Sequence, residues 1–251
     1  MKRKVILIFN DGGPGNYLPG IKIDKENYLN FLTSPEGGGW KEDEIMIYHN
    51  NCTKGALECY IKMYKSETEY WLLIFCGHGY TDSNKKTILE LSPGCECSID
   101  DIKNSLEYSR CLLIVDCCRV SIIGIVESYT MKTNFFSYQN QTDDYIEKCR
   151  KLYNDELKKL SQNTFNIIYS TSINQFAQEN DSIGGYYTHY LLYVARNIDH
   201  CKCEVMKNKS IFYVKFIHDI ACDVMGKANI NQIPTTEGSS LNEIPFVIIT
   251  K

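Results

Sequence analysis

The sequence predicts a three-layer α/β/α sandwich around a mostly parallel central sheet of about six strands. Two patterns predict it: short apolar runs recur between turn signals, and segments of helical periodicity alternate with them. A strand covered by helices on both faces reads as continuously apolar rather than alternating, and these runs read that way.

Six runs qualify: Lys4 to Phe9, Ile45 to Tyr48, Tyr70 to Phe75, Cys111 to Val115, Phe165 to Tyr169 and Phe246 to Ile249. The first follows Met1-Lys-Arg-Lys in the manner of a signal peptide. It is short and lacks a small-residue cleavage site, so it reads as a buried strand. Thr53 is the expected N-cap of a helix that sets Leu57, Tyr60, Ile61 and Tyr64 on one face. Ser98 with Asp101 forms a capping-box pattern ahead of Ile102 and Leu106. Ser121 to Gln141 has no periodicity and reads as a long loop, followed by a polar helix from Asp143 to Leu160. Val214, Ile217, Ala221 and Val224 mark another helix, with Gly226 as its natural stop. Asn231 to Asn242 reads as irregular chain before the final strand.

Composition narrows the function. With 251 residues, 43% apolar and 23% charged, the chain is expected to fold as one domain. A net charge of −4 with no long basic run gives no footprint for nucleic acid. No segment approaches the roughly 18 apolar residues that cross a bilayer, so no membrane partner is expected. Twelve scattered cysteines, several inside predicted strands and with no export signal, are expected to be reduced thiols in a cytoplasm.

In a parallel sheet ligands bind beyond the carboxyl ends of the strands, so polar residues directly after apolar runs are the ones to inspect. Trp71 to Phe75 leads into Cys76-Gly77-His78-Gly79, and Cys111 to Val115 leads into Asp116-Cys117-Cys118-Arg119. If both strands point the same way, an imidazole and a thiol emerge at one sheet edge. The imidazole can then take the thiol proton and later return it to a leaving amine. The glycines beside His78 permit tight turns, and the backbone N–H groups of Gly79 and Cys118 are candidate oxyanion donors. Taken singly, His78 reads as a structural histidine and Cys117 and Cys118 as small buried hydrophobes. Zinc is the competing use of such residues, but Cys95-x-Cys97 and His200-Cys201-x-Cys203 lack paired finger spacings.

A hydrophobic strand ending in Gly77-His78-Gly79, with a later one ending in Asp116-Cys117-Cys118, resembles the caspase and metacaspase superfamily. Further matches are Leu18-Pro19-Gly20-Ile21-Lys22-Ile23-Asp24 near a first helix, then Tyr169-Ser170-Thr171, Ala177-x-Glu179 and Gly185-x-x-Thr188. The late matches favour the metacaspase and orthocaspase branch over the separase and gingipain groups. The resemblance implies a caspase-like peptidase domain with residues 1–120 as the large-subunit-like part. It makes 121–164 an inter-subunit loop and helix, and 165–251 the small-subunit-like part.

The same resemblance makes Cys118, two residues after the aspartate, the nucleophile of a thioester acyl-enzyme, with His78 as acid/base. It sets Leu18, Asp116 and Glu179 where caspases carry arginine, glutamine and arginine. Asp24 matches a metacaspase pocket aspartate, and Cys76 stands where serine is frequent. A pocket of carboxylates favours a basic side chain and repels an acidic one, so cleavage after Arg or Lys is expected. Asp100 and Asp101 match paired calcium-binding aspartates, and Asp82 is a further candidate. Calcium takes about six to eight oxygens, and the apolar Ile122 to Val126 adds none, so no cofactor is expected to be required. Lys132 in the long loop is a candidate self-cleavage point. The expected partner is a peptide or protein with a basic cleavage residue, met by a monomer under the control of any separate activator. The rival reading, a silent fold used as a binding or signalling module, is weakened by the retention of His78 and Cys118.

Overall fold

The computed structural model describes residues 1–121, 142–198 and 210–249. In chain order the strands are β1 (Arg3–Phe9), β2 (Ile45–His49), β3 (Tyr70–Cys76), β4 (Gly79–Thr81), β5 (Thr87–Ser92), β6 (Cys95–Ser98) and β7 (Cys111–Asp116). Then follow β8 (Phe165–Tyr169), β9 (Glu179–Asn180), β10 (Gly184–Gly185), β11 (Ile211–Tyr213), β12 (Thr235–Glu237) and β13 (Pro245–Ile248). The helices are α1 (Ile21–Thr33), α2 (Lys54–Tyr64), α3 (Ile99–Ser105), α4 (Asp143–Leu157), α5 (Tyr186–Asn197) and α6 (Val214–Lys227).

The central sheet has six strands in the order β12-β8-β7-β3-β1-β2. All its pairings are parallel except that of β12 with β8. Every residue of β3 and β7 is buried, as two-sided coverage demands. Alternate side chains feed two cores. Val5, Leu7, Leu72 and Ile74 meet α1, α4, α5 and α6 on one face. Ile6, Ile8, Leu73 and Phe75 meet α2, α3 and the antiparallel meander β4-β5-β6 on the other. The three-layer expectation holds, and the first helix and the helix after the substrate loop implied by the resemblance are α1 and α5.

The caps behave as their chemistry requires. Thr53 Oγ1 accepts the Ala56 N–H at 3.1 Å, and Ser98 and Asp101 form the reciprocal box, each side chain accepting the other's N–H at 3.1 Å. The expected stop at Gly226 falls one residue early: α6 continues to Lys227, and Asn229, at φ +56°, turns the chain out of the helix. The polar helix likewise ends at Leu157, three residues before the expected Leu160.

Two strand expectations are corrected. The apolar run near the carboxyl terminus, β13, lies outside the central sheet, pairs antiparallel with β11 and is buried among the helices of the first core. The sixth sheet strand is β12, inside the segment read as irregular. An edge strand of Thr-Thr-Glu, partly exposed along its length, carries no hydrophobic signal. For the same reason β2, at the opposite edge, is only partly buried, with Ile47 37% exposed. Lys132, with most of the stretch expected to be a long loop, and the His200-Cys201-x-Cys203 segment lie outside the described residues. The ten described cysteines are unbridged, and among the described residues no helix is long and apolar enough to cross a membrane.

A buried ionic cluster ties α4 to the start of the sheet. Arg150 grips Glu44 through two bonds of 2.5 and 2.6 Å, and the Arg3 guanidinium, 2% exposed as a residue, lies 3.5 Å from Glu44 and 4.1 Å from the Trp40 ring centre. Burial would push Glu44 up, but the two guanidiniums outweigh it and hold the carboxyl below its ordinary value. Removing the shared anion leaves two buried cations facing each other. Glu44→Ala is therefore expected to cost about 3–5 kcal/mol in urea unfolding; a loss under about 1 kcal/mol would show that the cluster contributes little.

Candidate active site

Parallel pairing of β3 with β7 sets Cys76 opposite Asp116. His78 and Cys118 each follow by two residues, so both emerge at the same carboxyl edge, and both line one cleft. The other wall comes from Tyr17, Leu18 and Pro19 after β1, and from Ala177 to Glu179 after β8.

The two adjacent cysteines part company here. Cys117 is 2% exposed, and a Cβ added at Gly79 would sit 2.5 Å from its sulfur, so its side chain fills the space beneath the glycine. Cys118 is partly exposed, and its Sγ accepts the Ala177 N–H at 3.4 Å. Burial pushes the Cys118 thiol up; the Ala177 N–H opposes this, while Asp116 and Glu179 add to it. The thiol form is thus favoured over the thiolate, so ionisation of Cys118 calls for a nearby proton acceptor.

The His78 imidazole is oriented through the backbone. His78 Nε2 lies 2.6 Å from the Asn16 carbonyl oxygen. A carbonyl can only accept, so Nε2 carries the proton, and Nδ1 keeps the lone pair that can receive another. Gly12 makes this approach feasible: at φ +82° a side chain there would put Cβ 2.3 Å from the Asn16 oxygen and 2.7 Å from His78 Nε2. No sequence signal marked Asn16, because a main-chain carbonyl is common to every residue type.

The meander aims the second candidate donor. The Glu90 N–H donates to the His78 carbonyl, so the neighbouring pair Gly79↔Leu89 is one whose backbone groups point away from each other. Two residues along the same side of β4, the Thr81 N–H reaches the Val120 carbonyl. The Gly79 N–H therefore faces the chain segment that carries Cys118.

Four carboxylates, Asp24, Asp116, Glu179 and Asp181, line the cleft, and among the described residues no lysine or arginine does. Asp116 Oδ2 accepts the Thr188 hydroxyl at 2.7 Å and its N–H at 3.2 Å, while both Asp24 oxygens accept the Gly185 N–H at 3.0 Å. Both acids thus sit at the amino end of α5, where the helix dipole favours anions. Gly185 permits this convergence, since a Cβ there would lie 2.6 Å from Asp116 Oδ2. Burial nevertheless raises both acids, Asp24 further through repulsion from Asp116. Burial, with Asp181 adding, lifts Glu179 to about 7, against the pull of the Gly20 N–H. Cys76 is fully buried beneath, its sulfur 3.9 Å from Thr188 Oγ1, and does not line the cleft.

Arg119, unmarked in the sequence reading, staples the strand exit. Its guanidinium donates to Thr87 Oγ1 and the Thr171 carbonyl at 3.0 Å each and stacks 3.8 Å over Tyr169, while its backbone pairs with Asn174 and Gln175. The calcium candidates are engaged elsewhere. Asp100 is paired with Lys86 at 2.6 Å, Asp101 with Lys54 at 2.9 Å and with Ser98, and Asp82 accepts the Asn84 and Lys86 N–H groups. Among the described residues no group of three or more His, Cys, Asp or Glu could hold a metal ion. Among the described residues these aspartates are held by lysines and main-chain N–H groups and do not converge on a common point.

Fold and cleft define an α/β/α protein with a thiol and an imidazole at the ends of neighbouring parallel strands. The family model described as Caspase domain matches residues 2–243, so the chain belongs to that family, whose members are cysteine peptidases. The crystal structure of caspase-1 from Spodoptera frugiperda is similar, with a TM-score of 0.59 over 94% of this chain and 86% of that one. At 13% identity the likeness is one of fold. No curated protein sequence matches.

The unequal burial of the two thiols has a direct readout. Iodoacetamide applied to the native protein is expected to modify Cys118 while Cys117 stays protected, and the Cys118 rate should climb with pH as the raised thiol ionises. Peptide mapping resolves the two sites; equal labelling of both would contradict the arrangement.

Proposed function

We propose that the protein is a cysteine endopeptidase that cleaves after Arg or Lys. The observation that carries this reading is a thiol, an imidazole held on a main-chain carbonyl and four carboxylates in a single cleft with no lysine or arginine among its described lining residues. A buried cluster of like charges is relieved by a cation. A Lys or Arg side chain entering the cleft would return Asp24, Asp116 and Glu179 to their charged forms, whereas an acidic side chain would add to the repulsion.

In the proposed reaction His78 Nδ1 takes the Cys118 proton as the sulfur attacks the scissile carbonyl. The resulting oxyanion meets the N–H groups of Gly79 and Cys118, a stabilisation of about 3–4 kcal/mol per donor in comparable sites. The imidazolium passes its proton to the leaving amine, and a thioester remains on Cys118. His78 then deprotonates a water that attacks the thioester, and the acid product leaves as the thiol regains its proton. Calcium has no part in these steps. The unbridged cysteines support a reducing compartment, and we place the enzyme in the cytoplasm as a monomer, with any activator a separate chain.

Fluorogenic peptides ending in Arg, Lys and Asp test the reading. Turnover is expected with the first two alone, unchanged by a calcium chelator, and reduced by about 10³-fold or more in Cys118→Ala. Glu179 supplies a pH signature. Above about 7 its carboxylate is charged and attracts the basic side chain; below, it is neutral. KM for the Arg peptide should therefore rise as pH falls through about 7, and Glu179→Gln should flatten that rise. Preference for Asp would overturn the proposal.

We further propose self-cleavage after Lys132, in the segment between Cys118 and α4. Intact masses of the wild type and Cys118→Ala after incubation decide it: the wild type alone should split, and identical masses reject the step.

A further inference from the structure

The His78 imidazole is fixed only if two segments keep their spacing: the β3–β4 turn that carries the ring, and the loop after β1 that offers the Asn16 carbonyl. One side chain links them, bonding directly to the loop after β1 and reaching the turn through its neighbour in the meander, Glu90 of β5. Asn10, fully buried at the end of β1, accepts the Gly12 N–H on its Oδ1 at 3.1 Å. Its Nδ2 donates to the Glu90 carbonyl at 2.7 Å and to the Glu90 carboxylate at 3.3 Å. Each end leads to the ring in one step. Gly12 lies against both the Asn16 oxygen and His78 Nε2, and the Glu90 N–H holds the His78 carbonyl at 3.0 Å. The main-chain N–H of Asn10 also donates to the Cys76 carbonyl, two residues before His78.

The orientation of this amide is fixed by its partners, since an N–H must meet oxygen and a carbonyl must meet nitrogen. Only a short amide fits both demands. A carboxylate of the same shape would accept from Gly12 but would have nothing to donate and would face the Glu90 carboxylate; an alanine would remove the bonds at both ends.

We propose that Asn10 is a positioning residue for the reaction, which couples the loop after β1 to the meander and so holds His78 with Nε2 on Asn16 and Nδ1 free for the Cys118 proton. Asn10 touches no substrate; it acts through His78. This rests on the peptidase reading for its kinetic consequence, but the ring geometry is measurable without turnover.

The experiment compares the wild type with Asn10→Asp and Asn10→Ala. Kinetics with the Arg peptide are expected to show kcat lower by about tenfold or more in both variants, with KM within about twofold, as for a displaced general base rather than a damaged pocket. Nitrogen-15 spectra of the histidine rings read the geometry. In the wild type His78 should hold its proton on Nε2 alone, and in the variants the signal should shift toward exchange between the two nitrogens. Should both variants fail to fold, the wild type still decides: slow solvent exchange of the Asn10 side-chain amide protons supports the bridge, and fast exchange overturns it. Folded variants with wild-type kcat and an unchanged His78 spectrum overturn it as well. A wild type that turns over no basic peptide yet shows the fixed tautomer refutes the peptidase reading and leaves the bridge standing.

Discussion

Hydrogen bonding between β3 and β7 in parallel register is the constraint from which the site follows. Because Cys76 stands opposite Asp116, whatever lies two residues beyond each strand is delivered to the same edge at the same height. Those residues are His78 and Cys118. An antiparallel pair would have sent them to opposite ends of the sheet, and a register shift of one residue would have exchanged the side chains facing each core. Complete burial of both strands makes such a shift costly, since it would send each Leu, Ile and Val into the core packed for its neighbour and would part Asp116 from Thr188. The stability of the core and the placement of the chemistry are thus one and the same requirement.

Around that fixed pair, the remaining parts are supplied by backbone and by charge. A carbonyl sets the tautomer of the imidazole, and a strand pairing turns the Gly79 N–H toward the segment that carries Cys118. The amino end of α5 gathers Asp24 and Asp116 into the floor of the cleft. Three raised carboxyls close together are unfavourable in the absence of a counter-charge, and a protein holds such an arrangement at a site where a ligand can relieve it. The strain at the floor and the charge of the proposed substrate are complementary.

Much of this was legible in the sequence because the informative strands are buried. Continuous apolar runs identified β1, β3, β7 and β8, and the polar residues ending two of them identified His78, Asp116 and Cys118. Side-chain caps at Thr53 and Ser98 were readable for a similar reason: the chemistry resides in the side chain. What escaped was built from backbone or from exposed edges. The Asn16 carbonyl has no residue signature, β12 is a partly exposed Thr-Thr-Glu edge, and β13 mimics a sheet strand because burial among helices demands the same residues. Cys76 was assigned to the pocket by resemblance, and burial beneath Thr188 removes it from the wall.

In the proposed reaction Cys118, the Gly79 N–H and the acidic floor address one bound peptide. A crystal structure of the protein treated with a peptide aldehyde ending in arginine tests all three together. A hemithioacetal is expected on Cys118 Sγ, with its oxygen within hydrogen-bonding distance of the Gly79 nitrogen and the guanidinium between Asp24, Asp116 and Glu179. An adduct on another cysteine, or an arginine side chain directed away from those carboxylates, would contradict it.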